Sequence, residues 1–344
     1  MGGLFWGYYQ FGKELVRPVP EQQFASGASN AETTDRTVSA LDNAKNGSII
    51  FGGDIMLARS VESYAKANGG WSQVFSQVKN TLGEYDCRVA NLESPFISGK
   101  PQTQISSMVF AAKPEAIEAL AGANVTAVSL ANNHITDQGL AGLTETQNTL
   151  KGRNIIFGGA GRSVEEAIAP QSIRCGELRV GLVFATYGTN FASDGVVASL
   201  LEDIVPSITT AKKDNDIVAV FAHWGGEYQE LATPFQQEIA HRYIDAGADL
   251  VIGSHPHVIQ PIEVYKSKLI AYSLGNFVFD QATSGNKTEA ILISVSYKNN
   301  DTSVKAIPIK IEKYFRPTIL PAEKAANYLK RLSIENWEFE LTPK

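Results

Sequence analysis

A chain of 344 residues with 44% hydrophobic side chains can bury a large core, which excludes a disordered chain, a collagen-like chain and a small disulfide scaffold. Lys and Arg number 30 against 36 Asp and Glu, a net charge of −6 with no basic run, and this argues against a partner bound through nucleic-acid phosphates. No apolar run is long enough for a helix to cross a bilayer.

The chain opens on an apolar, aromatic stretch at 4–11 (LFWGYYQF), followed by Lys13 and Arg17. It is too short for a span or a signal-peptide core. It reads either as a packing arm or as the end of a membrane anchor, where Trp and Tyr sit at headgroup level. From 18 to 46 the composition shifts to Ser, Ala, Thr, Asn, Gln and Pro without periodicity, so residues 1–46 are expected as an N-terminal arm and flexible linker.

From Ser48 short apolar runs alternate with helical periodicities. Strands are expected at 48–53, 86–92, 125–130, 154–157, 178–186, 216–221 and 249–252. Amphipathic helices are expected at 114–121, 138–151, 204–213 and 234–246, with Gly122, Gly152 and Gly247 placed as C-terminal caps. That alternation implies right-handed βαβ units and a largely parallel sheet. After His257 the runs at 258–265, 269–274, 290–297 and 304–312 read as hairpins closing a second sheet, and a helix at 322–332 precedes a polar tail. Cys87 and Cys175 lack metal-type spacing and read as small buried hydrophobes, with one long-range disulfide left open.

In open α/β sheets, ligands bind beyond the carboxyl ends of the strands. Here those ends carry polar residues of one kind: Asp54 after FGG, Asn91 and Glu93 in NLE, Asn132, Asn133 and His134 in ANNH, His223 after DIVAVFA, and His255 and His257 in GSHPH. Of five histidines only His241, inside an expected helix, stands apart. Each residue alone has an ordinary reading as a helix cap, a turn residue or a loop charge. Together they form a ligand set suited to Mn, Fe, Zn or Mg rather than to a thiolate-bound zinc. One or two such ions would polarise a phosphoryl or carbonyl oxygen.

In this order, GGDIML, ANLESPF, LANNHITDQG, HWGGEY, GSHPHVIQ and YSLGNF resemble the CapA family of capsule or poly-γ-glutamate synthesis proteins, from about 48 to about 312. The resemblance implies a calcineurin-like metallophosphoesterase fold, a four-layer α/β sandwich with two central mixed β-sheets. Residues 47–315 would form that domain and 316–344 a C-terminal helix and tail. It also implies an extracytoplasmic, membrane-associated bacterial setting and a role in making, exporting or anchoring polyanionic polymer. The partners would be the anionic polymer or its precursor and membrane-embedded capsule synthesis subunits.

Carried over by motif, Asp54, Glu93, Asn133, His223, His255 and His257 would hold the metal, with Glu93 as the bridging carboxylate, and His134 would meet the leaving group. Asp137, three residues on, either orients that imidazole or caps the next helix. Beside that carry-over, Arg59, Asn91, Asn132, Trp224 and Glu227 are the candidate substrate contacts. Arg59 reads equally as an exposed helix-start residue, Glu227 as a loop charge, and Trp224 and Tyr228 as either walls of the site or aromatic packing; Ser273 and Asn276 are expected in turn roles. The phosphoesterase Asp-x-His reads Asp54-Ile55-Met56 here, so one metal position lacks an imidazole, and a thioether is a poor ligand for hard ions. Two functions therefore stay open: a metal-dependent hydrolase or transferase, and a polymer-binding or assembly subunit with a degenerate metal site.

Overall fold

The computed structural model describes residues 45–101, 108–190, 197–281, 285–298, 301–321, 323–325, 329 and 338–340. All lie in the second of two compact units, Asn43–Lys344, the first being Met1–Asp42. The aromatic stretch at 4–11, the linker up to residue 44 and most of the expected helix at 322–332 fall outside the described residues.

The first half of this unit repeats strand and helix. β1 (Gly47–Ile55), β2 (Cys87–Leu92), β3 (Ala127–Ser129) and β4 (Ile156–Gly158) lie side by side in parallel. They are joined through helices α1 (Arg59–Ala67), α2 (Lys79–Gly83), α3 (Ile117–Gly122) and α4 (Gly139–Lys151). β5 (Ala160–Gly161) and the short helix α5 (Val164–Ile168) lead into a second sheet, which begins with β6 (Gln171–Cys175) and β7 (Leu178–Thr186). β8 (Val197–Ala198) pairs with β5 at the side. Through α6 (Val205–Asp214) and α7 (Pro234–Asp245), β7 is followed in parallel by β9 (Ile217–His223) and β10 (Leu250–Ser254). Thr233 opens α7 with a capping box, its hydroxyl accepting from the Gln236 backbone N–H while the Gln236 side chain accepts from the Thr233 N–H.

The β-rich remainder does not close a sheet of its own. β11 (Ile262–Tyr265) and β12 (Lys268–Ala271) join the second sheet, giving the order β11-β12-β10-β9-β7-β6. β13 (Asn276–Val278) pairs with β1, and β14 (Glu289–Lys298), β15 (Asp301–Glu312) and β16 (Arg316–Ile319) extend the first sheet to β16-β15-β14-β1-β2-β3-β4. β17 (Glu338–Glu340) pairs with β15, so residues beyond 315, expected as helix and tail, supply two strands. The physical reason lies in β14: residues 290–295 are buried on both faces, which requires a layer on each side. Both sheets are consequently mixed rather than largely parallel.

Strand alternation divides the apolar residues into three layers. Ile50, Ala90 and Val128 face α1 to α4; Ile49, Phe51, Val89, Val180, Leu182, Phe221 and Ile252 meet between the two sheets; Val183, Val218, Val220 and Val251 face α6 and α7. This is a four-layer α/β sandwich with two central mixed sheets. A disulfide crosses its middle layer, joining Cys87 of β2 to Cys175 of β6 with a Cα separation of 5.4 Å. The reading of two separate buried thiols gives way to this bridge, because facing positions on stacked sheets leave no trace in sequence spacing.

Candidate functional site

Glycine sets the approach of the strands beneath the site. A Cβ at Gly53 would stand 1.8 Å from the Gly275 carbonyl oxygen, and one at Gly253 would stand 1.9 Å from that of Tyr272. Without them β13 runs against β1, and the register brings Asn276 beside Asp54 across a bulge. The neighbouring pairs are Asp54 with Asn91 and, in the second sheet, His223 with Ser254. Both sheets thus deliver polar residues to the same edge.

At that edge Asp54 and Glu93 are fully buried, as His223 and His257 nearly are. His257 Nδ1 lies 3.5 Å from Asp54 Oδ2, and His223 Nδ1 lies 3.6 Å from Asp54 Oδ1. Glu93 Oε1 stands 3.8 Å from His257 Nε2 and 3.9 Å from both His223 Nε2 and His134 Nε2. His255 Nδ1 is 3.1 Å from His223 Nε2, which is also 2.8 Å from Asn133 Oδ1. Two groups of ligand atoms, each spanning no more than 4.8 Å, result: Asp54, Glu93 and His257, and Glu93, His223 and His255. They share Glu93, the position expected to bridge. His255 and His257 hold this geometry with φ of 95° and 57°, left-handed backbone that a side chain adopts only where its surroundings enforce it. The His255 N–H donates to Asp54 Oδ2 at 3.0 Å.

The donor set fits a divalent cation. Neither carboxylate oxygen of buried Glu93 has a hydrogen-bond partner among the described residues. Burial, then the adjacent Asp54 charge, pushes the Glu93 carboxyl well above the usual carboxylate range. Burial and the neighbouring imidazole of His255 hold His223 well below the ordinary histidine value, and burial with His257 brings His255 down to about 4. Asp54 is pushed up by burial, yet its contacts with His257, His223 and Asn91 outweigh that and hold it below the ordinary range. Imidazoles of His223 and His255 kept neutral beside an ionised Asp54, with a proton on Glu93 for an incoming cation to displace, suit a cation site.

Around this centre the remaining residues divide. Asn132 Nδ2 donates to Asn91 Oδ1 at 3.1 Å, and Asn91 Nδ2 donates to Asp54 Oδ1 at 2.8 Å. Both amides are fully buried, so instead of meeting substrate they orient the aspartate from behind. Asp137 Oδ2 accepts from His134 Nδ1 at 2.8 Å and from the Phe110 backbone N–H at 2.6 Å, so it orients the imidazole; α4 begins after it without a side-chain cap. The His134 ring also stacks on Phe110, centroids 3.7 Å apart. Arg59 pairs with Asp280 and lies over the Phe110 ring at 4.5 Å. Trp224 is not a wall of the site. It is fully buried beneath the second sheet, stacked near Tyr243 and Tyr272, and donates from Nε1 to the Tyr272 carbonyl. Glu227 and Tyr228 are exposed at the mouth, the Tyr228 ring 6.3 Å from that of His257.

Sequence reasoning gave Asn276 a turn role, yet its Oδ1 lies 2.9 Å from His257 Nδ1; the YSLGNF motif was the signal. Ser273 does keep a turn role, donating to the Val258 carbonyl. Phe110 carried no sequence signal, since a lone Phe in a loop has many uses, and for Ser254, which meets His223 Nδ1 at 3.0 Å, the GSHPHVIQ motif was the signal. Met56 is fully buried in the layer under α1, its sulfur facing the Ala58 N–H at 3.1 Å.

Residues 48–281 match the sequence profile of the family described as bacterial capsule synthesis protein PGA_cap. The chain belongs to the PGA_cap family. Among the relatives of this PGA_cap protein, the PGA biosynthesis protein CapA of Bacillus subtilis (strain 168) is 34% identical over 277 residues, 76% of this chain and 71% of that one. The capsule biosynthesis protein CapA of Bacillus anthracis is 33% identical over 281 residues, 76% of this chain and 66% of that one. A solved 5'-nucleotidase from Candida albicans aligns over 83% of this chain and 57% of its own with a TM-score of 0.45 and 11% identity, too distant a likeness to bear on function. The PGA_cap assignment places the protein among accessory proteins of capsule or poly-γ-glutamate biosynthesis, with a role in the cell envelope.

Proposed function

We propose that this PGA_cap protein is a divalent-metal-dependent hydrolase or transferase of the bacterial envelope, acting on an anionic polymer such as poly-γ-glutamate or on a phosphorylated precursor. The observation that carries the proposal is Glu93, buried with two unpartnered oxygens and shared by two ligand groups. Asp54 and His257 would hold one ion with it, and His223 and His255, with Asn133 alongside, a second; Mn, Fe, Zn and Mg all suit this donor set. When bound, the metal supplies Lewis acidity to a phosphoryl or acyl oxygen. His134, oriented by Asp137 and packed on Phe110, stands beside Glu93 to pass a proton to the leaving group. Asn91 and Asn132 fix the Asp54 carboxylate, and Asn276 fixes the His257 ring.

The disulfide supports an extracytoplasmic location, since such bridges persist in oxidising compartments. That location would place the site next to membrane-embedded capsule synthesis subunits. Among the described residues no helix is long and apolar enough to cross a membrane.

The test measures metal content by mass spectrometry after purification with Mn, followed by turnover of an aryl phosphate and of γ-linked glutamyl oligomers. Stoichiometric metal in the wild type and in His241→Ala, its loss in His223→Ala, and turnover of at least one substrate class support the proposal. An absence of bound metal refutes it. The second reading, a polymer-binding assembly subunit, is favoured by Met56, a core side chain where phosphoesterases carry an imidazole. Metal binding without turnover of either substrate would select it.

A further inference from the structure

The mouth of the site carries two charges of opposite sign that the chemistry above leaves unused. Lys287 Nζ lies 3.8 Å from the centre of the Tyr228 ring, and Glu227 precedes that tyrosine in the chain. Neither charge belongs to an ion pair among the described residues, while the nearby Asp280 is taken by Arg59 and Glu230 by the side-chain amide of Asn286. Burial, then the Glu227 charge, pushes the Tyr228 phenol up to about 12, so it stays a neutral hydroxyl at working pH.

The arrangement is held in place. Tyr228 adopts φ of 63°, and its N–H donates to the Pro256 carbonyl at 2.8 Å, inside the turn that presents His255 and His257. The Lys287 carbonyl accepts from Asn276 Nδ2 at 3.1 Å, the same amide whose oxygen faces His257. Lys287 and Tyr228, the residue that follows Glu227, are therefore anchored through their backbones to the loops that position the imidazoles. A left-handed tyrosine is strained backbone that persists where the surrounding structure enforces it.

A carboxylate aligned with Lys287 and an ammonium aligned with Glu227 describe an α-amino acid head group. Within a γ-linked glutamyl chain only the amino-terminal residue carries both a free α-ammonium and a free α-carboxylate. Every other residue has its nitrogen in an amide bond. We propose that Glu227, Tyr228 and Lys287 form a subsite for the amino-terminal end of such a chain, so that the protein engages the polymer at its end rather than along its length. This rests on the polymer reading above, and the two can fail separately.

The test titrates a γ-linked glutamyl pentamer with a free amino terminus, and its N-acetyl form, into the Mn-supplemented full-length protein by calorimetry. The free pentamer should bind about tenfold more tightly than the acetylated one. Glu227→Gln should erase that preference, Lys287→Ala should weaken both ligands, and Lys287→Arg should restore them, with melting temperatures measured in parallel to show that each variant is folded. Equal affinity for the two pentamers, or a preference untouched by Glu227→Gln, would overturn the subsite while leaving the polymer reading standing. Failure of both pentamers to bind would overturn both.

Discussion

Glu93 concentrates the electrostatics of the site. Its carboxyl group is fully buried beside Asp54, and neither of its oxygens is hydrogen-bonded within the described residues. A buried charge without partners costs several kcal/mol, and a cation shared with Asp54 and the imidazoles offsets that cost. Glu93→Gln keeps the shape and removes the charge. Its metal-free melting temperature should therefore be no lower than that of the wild type, since repulsion from Asp54 is relieved. The wild type should gain about 2.7 kcal/mol at a Mn concentration one hundred times its dissociation constant, by mass action. The variant should gain almost none of it. Thermal melts with and without Mn make the comparison, and a variant that melts lower when metal-free, or rises with Mn as the wild type does, would contradict this account. The clustering of carboxylates and imidazoles was legible in the sequence because several strand ends carry polar residues of one kind, and the structure brings those ends together. The supporting contacts were not: Trp224, Asn91 and Asn132 sit in motifs beside the ligands, yet which face of the strand each occupies depends on bulges and on packing between sheets.

At the scale of elements, β7 was readable residue for residue because a run rich in Val, Leu, Phe and Thr is bounded by turn signals. The short strands β3 and β4 came out longer in the sequence reading than in the structure, and β6 left no usable periodicity. Sheet membership was not legible either, since pairing of β14 with β1 joins residues more than two hundred positions apart. Separation along the chain also hid the disulfide. Cys87 and Cys175 close a loop with a sequence separation of 88 and tie β2 of one sheet to β6 of the other. A loop of that length stabilises by about 4–5 kcal/mol in the chain-entropy treatment, with measured values for native bridges of about 2–5 kcal/mol. The double variant Cys87→Ala, Cys175→Ala should therefore unfold at lower denaturant concentration, with a steeper slope because the unlinked unfolded chain exposes more surface. It should keep its metal stoichiometry, because the bridge lies near the amino-terminal ends of β2 and β7, opposite the ligand edge. A variant as stable as the wild type would show that packing between the sheets already carries what the bridge adds.

For the whole molecule, the boundary between residues 1–46 and the sandwich can be located by contacts. Lys45 Nζ pairs with Asp216 at 2.6 Å, the Asn46 N–H donates to Glu177 at 2.9 Å, and Ser48 is bound through its N–H and hydroxyl to Asp86. Gly47 opens β1 where a Cβ would stand 2.1 Å from the Cys175 carbonyl oxygen, so chain packing is already tight there. The compact unit begins at Asn43, and among the described residues the three apolar layers begin at Ile49. A protein starting at Asn43 should thus unfold in one cooperative transition, with a melting temperature within a few degrees of the full chain and the same metal stoichiometry. Starting instead at Asp54 removes Ile49, Ile50 and Phe51 from β1, strips two layers at once and should abolish the transition. Circular dichroism melts of both truncations decide the matter. If the Asn43 variant lost its cooperative unfolding, residues before it would have to belong to the core of the sandwich, and the arm-and-linker organisation would be wrong.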